Sequence, residues 1–313
     1  MPISLPPNVA ETIAGSFGKR GAEWLAALPG MVEKLCAAWE LELAGDSFGG
    51  GTHSWVAPVR RRDGSLAVLK VPVVDEENYG EPTGLYCYGG DGAVRLFEFD
   101  PGTGAMLLEW ARPGTELLYQ PGFPSLEGRP ENIARVEQAC GLYRRLQREP
   151  VAAPVGFPEL PTAAGMVAGW EGMFLEPEDG VAEVIPARLL GRAAERCGEL
   201  AVPDGPLLVV NRDTHLGNIV AAEREPWLLI DPKAYLGEAA FDAGFLIMIQ
   251  VQSDPAPDHA RAVVERTAAG LAVRADRARA WAFMRSMEEI VWAVEDEGPE
   301  DLRLHLAVAT ALV

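Results

Sequence analysis

Apolar and polar positions follow different periods along the chain. Over the first forty residues apolar side chains recur at three- and four-residue spacing, Val9 to Leu28 and Met31 to Leu43, which predicts two helices broken at Pro29-Gly30. The runs Ser54 to Arg60 and Leu66 to Val71 read as short strands, joined into a hairpin by the Arg-Arg-Asp-Gly turn ending at Gly64. Ala93 to Phe99 and Met106 to Trp110 form a second strand pair around Asp100-Pro101-Gly102. Beyond Pro113-Gly114 the pattern becomes mainly helical. Ile133, Val136, Cys140, Tyr143 and Leu146 line one stripe of a predicted helix over 131–148. Further helices are expected at 186–200, 258–270, 276–297 and 300–312, interrupted by two β-like runs, Leu207 to Val210 and Trp227 to Ile230, each leading into polar residues. The expected architecture is α+β and bilobal: an N-terminal lobe with antiparallel sheet over 1–110, and a larger, mostly helical C-terminal lobe over 111–313.

Composition narrows what such a fold could bind. With 313 residues, 48% apolar and 23% charged, the chain buries a sizeable core and favours two lobes over one. Its 27 basic and 46 acidic residues give a net charge of −19, which repels nucleic acid and anionic membrane surfaces and favours cationic small molecules. Cys36, Cys87, Cys140 and Cys197 contain no Cys-x-x-Cys pair and read as buried free thiols of a reducing cytoplasm. The N-terminus lacks a basic signal-peptide region, and the longest apolar stretch, Phe245 to Val251, is too short to span a bilayer. A cytoplasmic monomer or weak homodimer is expected.

The chemistry concentrates after the first β-like run of the C-terminal half. Asn211-Arg212-Asp213-Thr214-His215-Leu216-Gly217-Asn218 follows an apolar strand, and the next strand ends in Asp231-Pro232-Lys233. Phosphoryl transfer needs a carboxylate to take the proton of the attacking hydroxyl, and an amide oxygen with a second carboxylate to hold Mg²⁺ on a nucleotide. Asp213, Asn218 and Asp231 could supply these groups, and the Asp213-to-Asn218 spacing equals that of the protein-kinase catalytic loop. Leu66-Ala-Val-Leu-Lys70 ends a strand in one of only four lysines, matching the kinase element whose ammonium holds nucleotide phosphates, with Glu81 as its candidate partner. A surface lysine on an edge strand is the bland alternative. Gly49-Gly50-Gly51 before the first strand lets backbone approach phosphates closely, although a glycine cluster is more often plain flexibility. His215 has no ligand cluster with His53, His259 or His305 and reads as structural. No Gly-x-Ser-x-Gly elbow supports a hydrolase.

The chain resembles the streptomycin 6-kinase and hydroxyurea phosphotransferase group of aminoglycoside phosphotransferases, relatives of the protein kinases. The resemblance covers nearly its whole length. It is carried by Val56 to Gly64, Ala67 to Lys70, Gly90 to Leu96, Leu107 to Trp110 with Pro113-Gly114, Ala222 to Lys233, and Trp292 with Glu295-Asp296. It implies ATP and Mg²⁺ as cofactors, Lys70 paired with Glu81 on the phosphates, Glu109, Trp110 and Ala111 as the hinge meeting adenine, Asp213 as catalytic base and Asn218 and Asp231 as metal ligands. It also implies that Asp242 braces the catalytic loop, where capping the following helix is the alternative. Asn211 and Thr214 stand where relatives usually have His and Leu, Gly237-Glu238-Ala239 where Gly-Asp-Pro is usual, and Ala293 where Asp is common.

The helix expected at 276–297 presents Glu288, Trp292 and Glu295 on one face with Asp296 beside them. Carboxylates crowding a helix C-terminus work against the helix dipole by about 0.3–1 kcal/mol each, which suggests a use beyond solvation. An acid–aromatic–acid surface suits a guanidinium or ammonium ligand, so Glu238, Glu288, Trp292, Glu295 and Asp296 are the candidate acceptor site. The function expected is ATP- and Mg²⁺-dependent phosphorylation of a hydroxyl of a small cationic antibiotic of the streptomycin type, conferring resistance. The alternatives are a kinase of the same fold acting on hydroxyurea, a peptide or nucleoside antibiotic or a metabolite, and a ligand-binding pseudokinase motivated by Asn211.

Overall fold

Helix α1 (Pro7–Ala38) runs through the predicted break and turns elsewhere. Pro29 lies inside it, while Gly18 carries φ 50° and ψ −127°, a backbone state that glycine adopts without a Cβ penalty. A proline inside a helix costs about 3 kcal/mol. Here Leu28, Val32 and Leu35 on either side of Pro29 are all buried beneath the sheet, and that packing holds the helix together. In the computed structural model, which describes residues 3, 5–49, 53–118, 130–295 and 299–313, α1 ends before Leu43. Glu42–Leu43 instead form strand β1.

Strands β2 (Ser54–Arg60) and β3 (Leu66–Pro72) form the expected hairpin. Helix α2 (Glu81–Tyr88) follows, then the second strand pair β4 (Leu96–Asp100) and β5 (Ala105–Glu109). Among the described residues the sheet runs β1-β2-β3-β5-β4 and is antiparallel throughout. Alternation along β3 decides what faces the centre of the molecule. Ala67, Leu69 and Val71 pack with Leu28, Val32 and Leu35 of α1, each large side chain contributing about 2 kcal/mol by burial. Val68 and Lys70 therefore point from the other face, toward α2 and the C-terminal half.

The chain beyond the sheet is mostly helical: α3 (Pro130–Leu146), α4 (Ala163–Leu175), α5 (Asp179–Val184), α6 (Ala187–Leu200), α7 (Ala243–Val251), α8 (Pro257–Leu271), α9 (Ala275–Glu295) and α10 (Pro299–Leu312). Short strands carry the remainder: β6 (Pro113–Glu116), β7 (Leu208–Asn211), β8 (Ile219–Ala222), β9 (Trp227–Leu229) and β10 (Ala234–Gly237). The helical reading directly after Pro113-Gly114 is corrected, because β6 pairs with β8, Pro113 opposite Ala222. The apolar run Phe245 to Val251 lies in α7, every residue of which is buried. No described helix is long and apolar enough to cross a membrane. Cys87, Cys140 and Cys197 are buried free thiols, whereas Cys36 is only half-buried.

The two halves meet where α2 lies on β10. A Cβ on Gly84 would sit 2.4 Å from the Ala234 Cβ, and one on Gly80 2.3 Å from the Ala234 carbonyl oxygen. Only glycine permits that approach, which brings Glu81 at the start of α2 to the strand leading out of Asp231.

Candidate active site

Two antiparallel pairings assemble the polar residues. Strand β7 pairs with β10, Asn211 opposite Ala234, and β8 pairs with β9, Ile219 opposite Leu229. The first sets the loop after β7 beside the Asp231-Pro232-Lys233 turn, where the Arg212 N–H donates to the Lys233 carbonyl at 2.9 Å. The second sets Asn218 beside Asp231, with the Ile230 N–H donating to the Asn218 carbonyl at 2.8 Å. Asp231 itself has φ 48°, a left-handed state that costs a non-glycine residue on the order of 1 kcal/mol and is held by its neighbours.

Lys70 is buried and bonds both Glu81 oxygens at 2.7 Å and Asp231 Oδ1 at 2.7 Å. Burial disfavours its charge, but the Asp231 and Glu81 carboxylates outweigh that cost and hold the ammonium above its ordinary pKa. For Asp231 burial also opposes charge, and Lys70 and Lys233 overcome it to keep the carboxyl below the usual carboxylate range. Burial raises Glu81, offset in part by Lys70. The edge-lysine alternative fails for Lys70, since β3 lies between β2 and β5.

Asp213 occupies the mouth of this group. Its Oδ2 accepts from the Asn218 amide at 3.3 Å and lies 3.5 Å from His215 Nε2, while Oδ1 is buried with no hydrogen-bond partner among the described residues. His215 Nδ1 accepts from the Gly217 N–H at 3.0 Å, so the ring caps the Leu216–Asn218 turn. Asn211 fills its position by donating from its amide to the Tyr88 hydroxyl of α2 at 2.9 Å. Asp242 Oδ1 accepts from the Asn211 N–H at 2.6 Å and Oδ2 from Gln147 at 2.9 Å, and the Thr214 hydroxyl donates to its carbonyl at 3.0 Å. Its side chain does not cap α7. Burial pushes the Asp242 carboxyl up to about 7.

At the end of β5, the Glu109 side chain is held by Arg224 Nε and Nη2 at 2.8 Å and by the Arg95 N–H. Arg224 also donates to the Gly90 and Ala93 carbonyls, which ties the β8–β9 turn to the sheet side. Sequence reasoning did not single out Arg224, because an arginine in a polar turn is unremarkable until its partners are known. Trp110 stands edge-on to Phe48, with ring centres 5.9 Å apart. A cavity of about 450 Å³ has Arg60, Leu66, Glu109, Trp110, Ala111, Arg112, Ala222 and Arg224 among its lining residues. Lys70 and Asp213 are not among its lining residues. Gly49 is described; Gly50 and Gly51 lie outside the described residues.

Two residues of the expected acceptor face are engaged by other parts of the chain. Glu238 is buried and fully engaged: Oε1 accepts from Arg277 Nε at 3.0 Å, Arg277 Nη2 at 2.6 Å and Trp281 Nε1 at 2.5 Å, and Oε2 from the Asp204 N–H at 2.5 Å. It braces α9, and its burial leaves almost no surface for a ligand. Glu288 is also buried, paired with Arg212 at 3.0 Å and with Arg285. The guanidinium groups that Trp292 was expected to receive come from the chain itself, Arg212 at 5.2 Å and Arg285 at 5.7 Å from the ring centre. Helix position could reveal Arg285, one turn before Glu288 on α9, but not Arg212, which arrives from the loop before Asp213. Arg212 also reaches Glu77, ahead of α2, at 3.1 Å. The Glu295 side chain and Asp296 lie outside the described residues.

As a potential metal site, Asn218 and Asp231 present hard oxygen donors. The Asn218 amide nitrogen is turned to Asp213, leaving its oxygen available, and Asp231 Oδ2 accepts no hydrogen bond among the described residues. No cluster of three or more His, Cys, Asp or Glu able to hold a metal occurs among the described residues. Two such donors suit an ion that takes its other ligands from water and nucleotide phosphates, as Mg²⁺ does.

A sheet-rich N-terminal region carrying a lysine–glutamate pair, above a helical region carrying Asp213, Asn218 and Asp231, defines the protein-kinase-like phosphotransferase fold. The solved aminoglycoside phosphotransferase APH(4)-Ia superimposes with a TM-score of 0.58 at 13% identity, covering 91% of this chain and 98% of that one. The chain belongs to the aminoglycoside/hydroxyurea antibiotic resistance kinase family, whose model matches residues 38–297. It is 36% identical over 301 residues to the streptomycin 6-kinase of Streptomyces glaucescens, covering 94% of this chain and 92% of the relative. It is 34% identical over 312 residues to the hydroxyurea phosphotransferase of Kitasatospora aureofaciens, covering 99% of this chain and 86% of the relative.

Proposed function

We propose that this chain transfers the terminal phosphoryl group of ATP, with Mg²⁺, to a hydroxyl of a small antibiotic, a streptomycin-type aminoglycoside being the favoured acceptor. The observation that carries the reading is the convergence of Lys70, Glu81, the Asp213–Asn218 loop and Asp231 from four separate stretches of sequence. The acceptor class rests on the streptomycin 6-kinase relative. In this reading residues 1–110 form the nucleotide-binding lobe and 111–313 the helical lobe, with the backbone of 109–111 meeting the base. Gly49, before the first hairpin strand, approaches the phosphates.

The geometry supports a direct in-line transfer. Asp213 Oδ1, without a hydrogen-bond partner among the described residues, accepts the hydrogen bond of the acceptor hydroxyl and takes its proton as the new O–P bond forms. The bond from the terminal phosphorus to the bridging oxygen breaks, and its electron pair leaves with ADP. Asn218 holds Asp213 Oδ2 and thereby fixes the orientation of Oδ1. Lys70, held by Glu81, meets the inner phosphates. Asn218 and Asp231 would hold Mg²⁺, which neutralises the charge gathering on the phosphate oxygens.

Hydroxyurea is the second reading. It is supported by the Arg212 and Arg285 contacts to Glu288 and Trp292, which consume negative charge that a polycationic acceptor would use. Incubation with ATP, Mg²⁺ and streptomycin or hydroxyurea, followed by mass spectrometry, separates the two. A phosphate adduct on streptomycin, absent in Asp213→Ala, is the expected outcome; an adduct on hydroxyurea alone transfers the conclusion to the second reading, and nucleotide binding without any adduct overturns both.

A further inference from the structure

Of 27 basic residues in the chain only four are lysines, at positions 19, 34, 70 and 233. Two of the four converge on one atom: Lys70 Nζ lies 2.7 Å and Lys233 Nζ 3.4 Å from Asp231 Oδ1. In a chain that otherwise uses arginine, this choice fits a compact charge with pivoting donors, which can follow a phosphate as it moves better than a planar fork can.

The two lysines differ in what else holds them. Lys70 has both oxygens of Glu81. The Lys233 ammonium has no acceptor among the described residues except Asp231 Oδ1, at a long 3.4 Å, although its side chain is only 13% exposed. An enclosed ammonium with three donors and one long contact is under-satisfied, and such a group favours any anion that can reach it. Its backbone is pinned, because the Lys233 carbonyl accepts from the Arg212 N–H at 2.9 Å, immediately before Asp213. A ligand that claims Asp231 leaves Lys70 on Glu81 and leaves Lys233 with no acceptor among the described residues.

We propose that Lys233 is a second phosphate-binding lysine and a catalytic residue: its ammonium contacts the terminal phosphoryl group of the nucleotide during transfer, while Lys70 holds the inner phosphates. This rests on the phosphotransferase reading above. The bonds made and broken are those already given, with the acceptor proton passing to Asp213 and the electron pair to ADP. Lys233 keeps its proton throughout and stabilises charge on the phosphoryl oxygens.

The test is calorimetric binding of ATP and of ADP, without acceptor, to wild type, Lys233→Met and Lys233→Arg. Loss of a charge-assisted contact to the terminal phosphate weakens ATP by about tenfold or more and leaves ADP within about twofold. In turnover kcat falls on the order of a hundredfold with the acceptor KM little changed, and Lys233→Arg recovers part of the ATP-over-ADP preference. Equal effects on ATP and ADP, or none, overturn the proposal and make Lys233 a counter-ion of Asp231. Should Lys233→Met fail to fold, Lys233→Arg decides alone: an unchanged ATP-to-ADP ratio overturns the proposal, and a ratio lowered about threefold or more supports it. Failure of the phosphotransferase reading itself looks different, since wild type would then bind neither nucleotide or would bind both without phosphorylating any acceptor.

Discussion

Replacing Glu238 by alanine distinguishes a brace from a ligand site. Its side chain is 2% exposed and that of its partner Arg277 is 12% exposed. Deletion strands the Arg277 guanidinium and leaves the Trp281 indole N–H, within a side chain 1% exposed, without its acceptor. Breaking a buried ion pair costs about 3–5 kcal/mol. The lower half of that range applies, because Arg277 retains the Glu199 and Val202 carbonyls at 2.7 and 3.0 Å. At about 2–4 °C per kcal/mol for a cooperative unit of this size, the melting temperature falls by roughly 10 °C. Thermal unfolding followed by circular dichroism reads this directly, alongside acceptor and ATP KM values measured well below the transition. The double variant Glu238→Gln/Arg277→Met, which removes both charges, recovers part of the loss because no ion is then left unpaired. A Glu238→Ala protein that melts within about 2 °C of wild type but binds acceptor several-fold more weakly would refute the brace and restore Glu238 to the acceptor site.

Other expectations follow from the same contacts. The folded-state pKa of Asp242 is raised from 3.8 to about 7 by burial, so the folded protein binds the extra proton between those values. Its stabilising contribution is complete below about 3.8 and is lost as pH rises through about 7; Asp242→Asn therefore flattens the fall in urea midpoint between pH 5 and 8, and an unchanged slope removes Asp242 as its cause. Glu81→Gln leaves the buried Lys70 ammonium with Asp231 as its charged partner and is expected to weaken ATP about tenfold by calorimetry; unaltered affinity would separate the pair from nucleotide binding. Arg212 joins Glu77 to Glu288 across the site. A double-mutant cycle of Arg212→Gln and Glu77→Gln in kcat/KM should give a coupling of about 0.5–3 kcal/mol, and strict additivity would make the contact incidental.

Much of the candidate site was legible because its residues lie within two short segments. Asn211 to Asn218 and Asp231 to Lys233 each sit at a strand end, and the apolar run before each announces the strand. Lys70 was legible for the same reason. Where reading failed, distant packing had overridden a local signal. Pro29 did not break α1, because buried neighbours hold it against the sheet. Helix α2, with Pro82, Thr83 and Gly84 in its first turns, carries little helical signal. It forms where β10 offers a surface that only glycine can approach so closely.

Periodicity and residue type thus determined which face of β3 carries Lys70, which loops hold the acids and the α+β division of the chain, since each depends on neighbours within a few residues. The tertiary structure alone decided which charges are spent on one another. Glu238 and Glu288 read as acids available to a cationic acceptor, yet Arg277, Arg212 and Arg285 reach them from elsewhere in the fold or from another turn of α9. Charge neutralisation depends on distances of about 3 Å between groups that can lie far apart in the chain, and a linear sequence does not contain those distances. The same reason left Lys233 unremarked beside Asp231 until both lysines were seen to meet at a single oxygen.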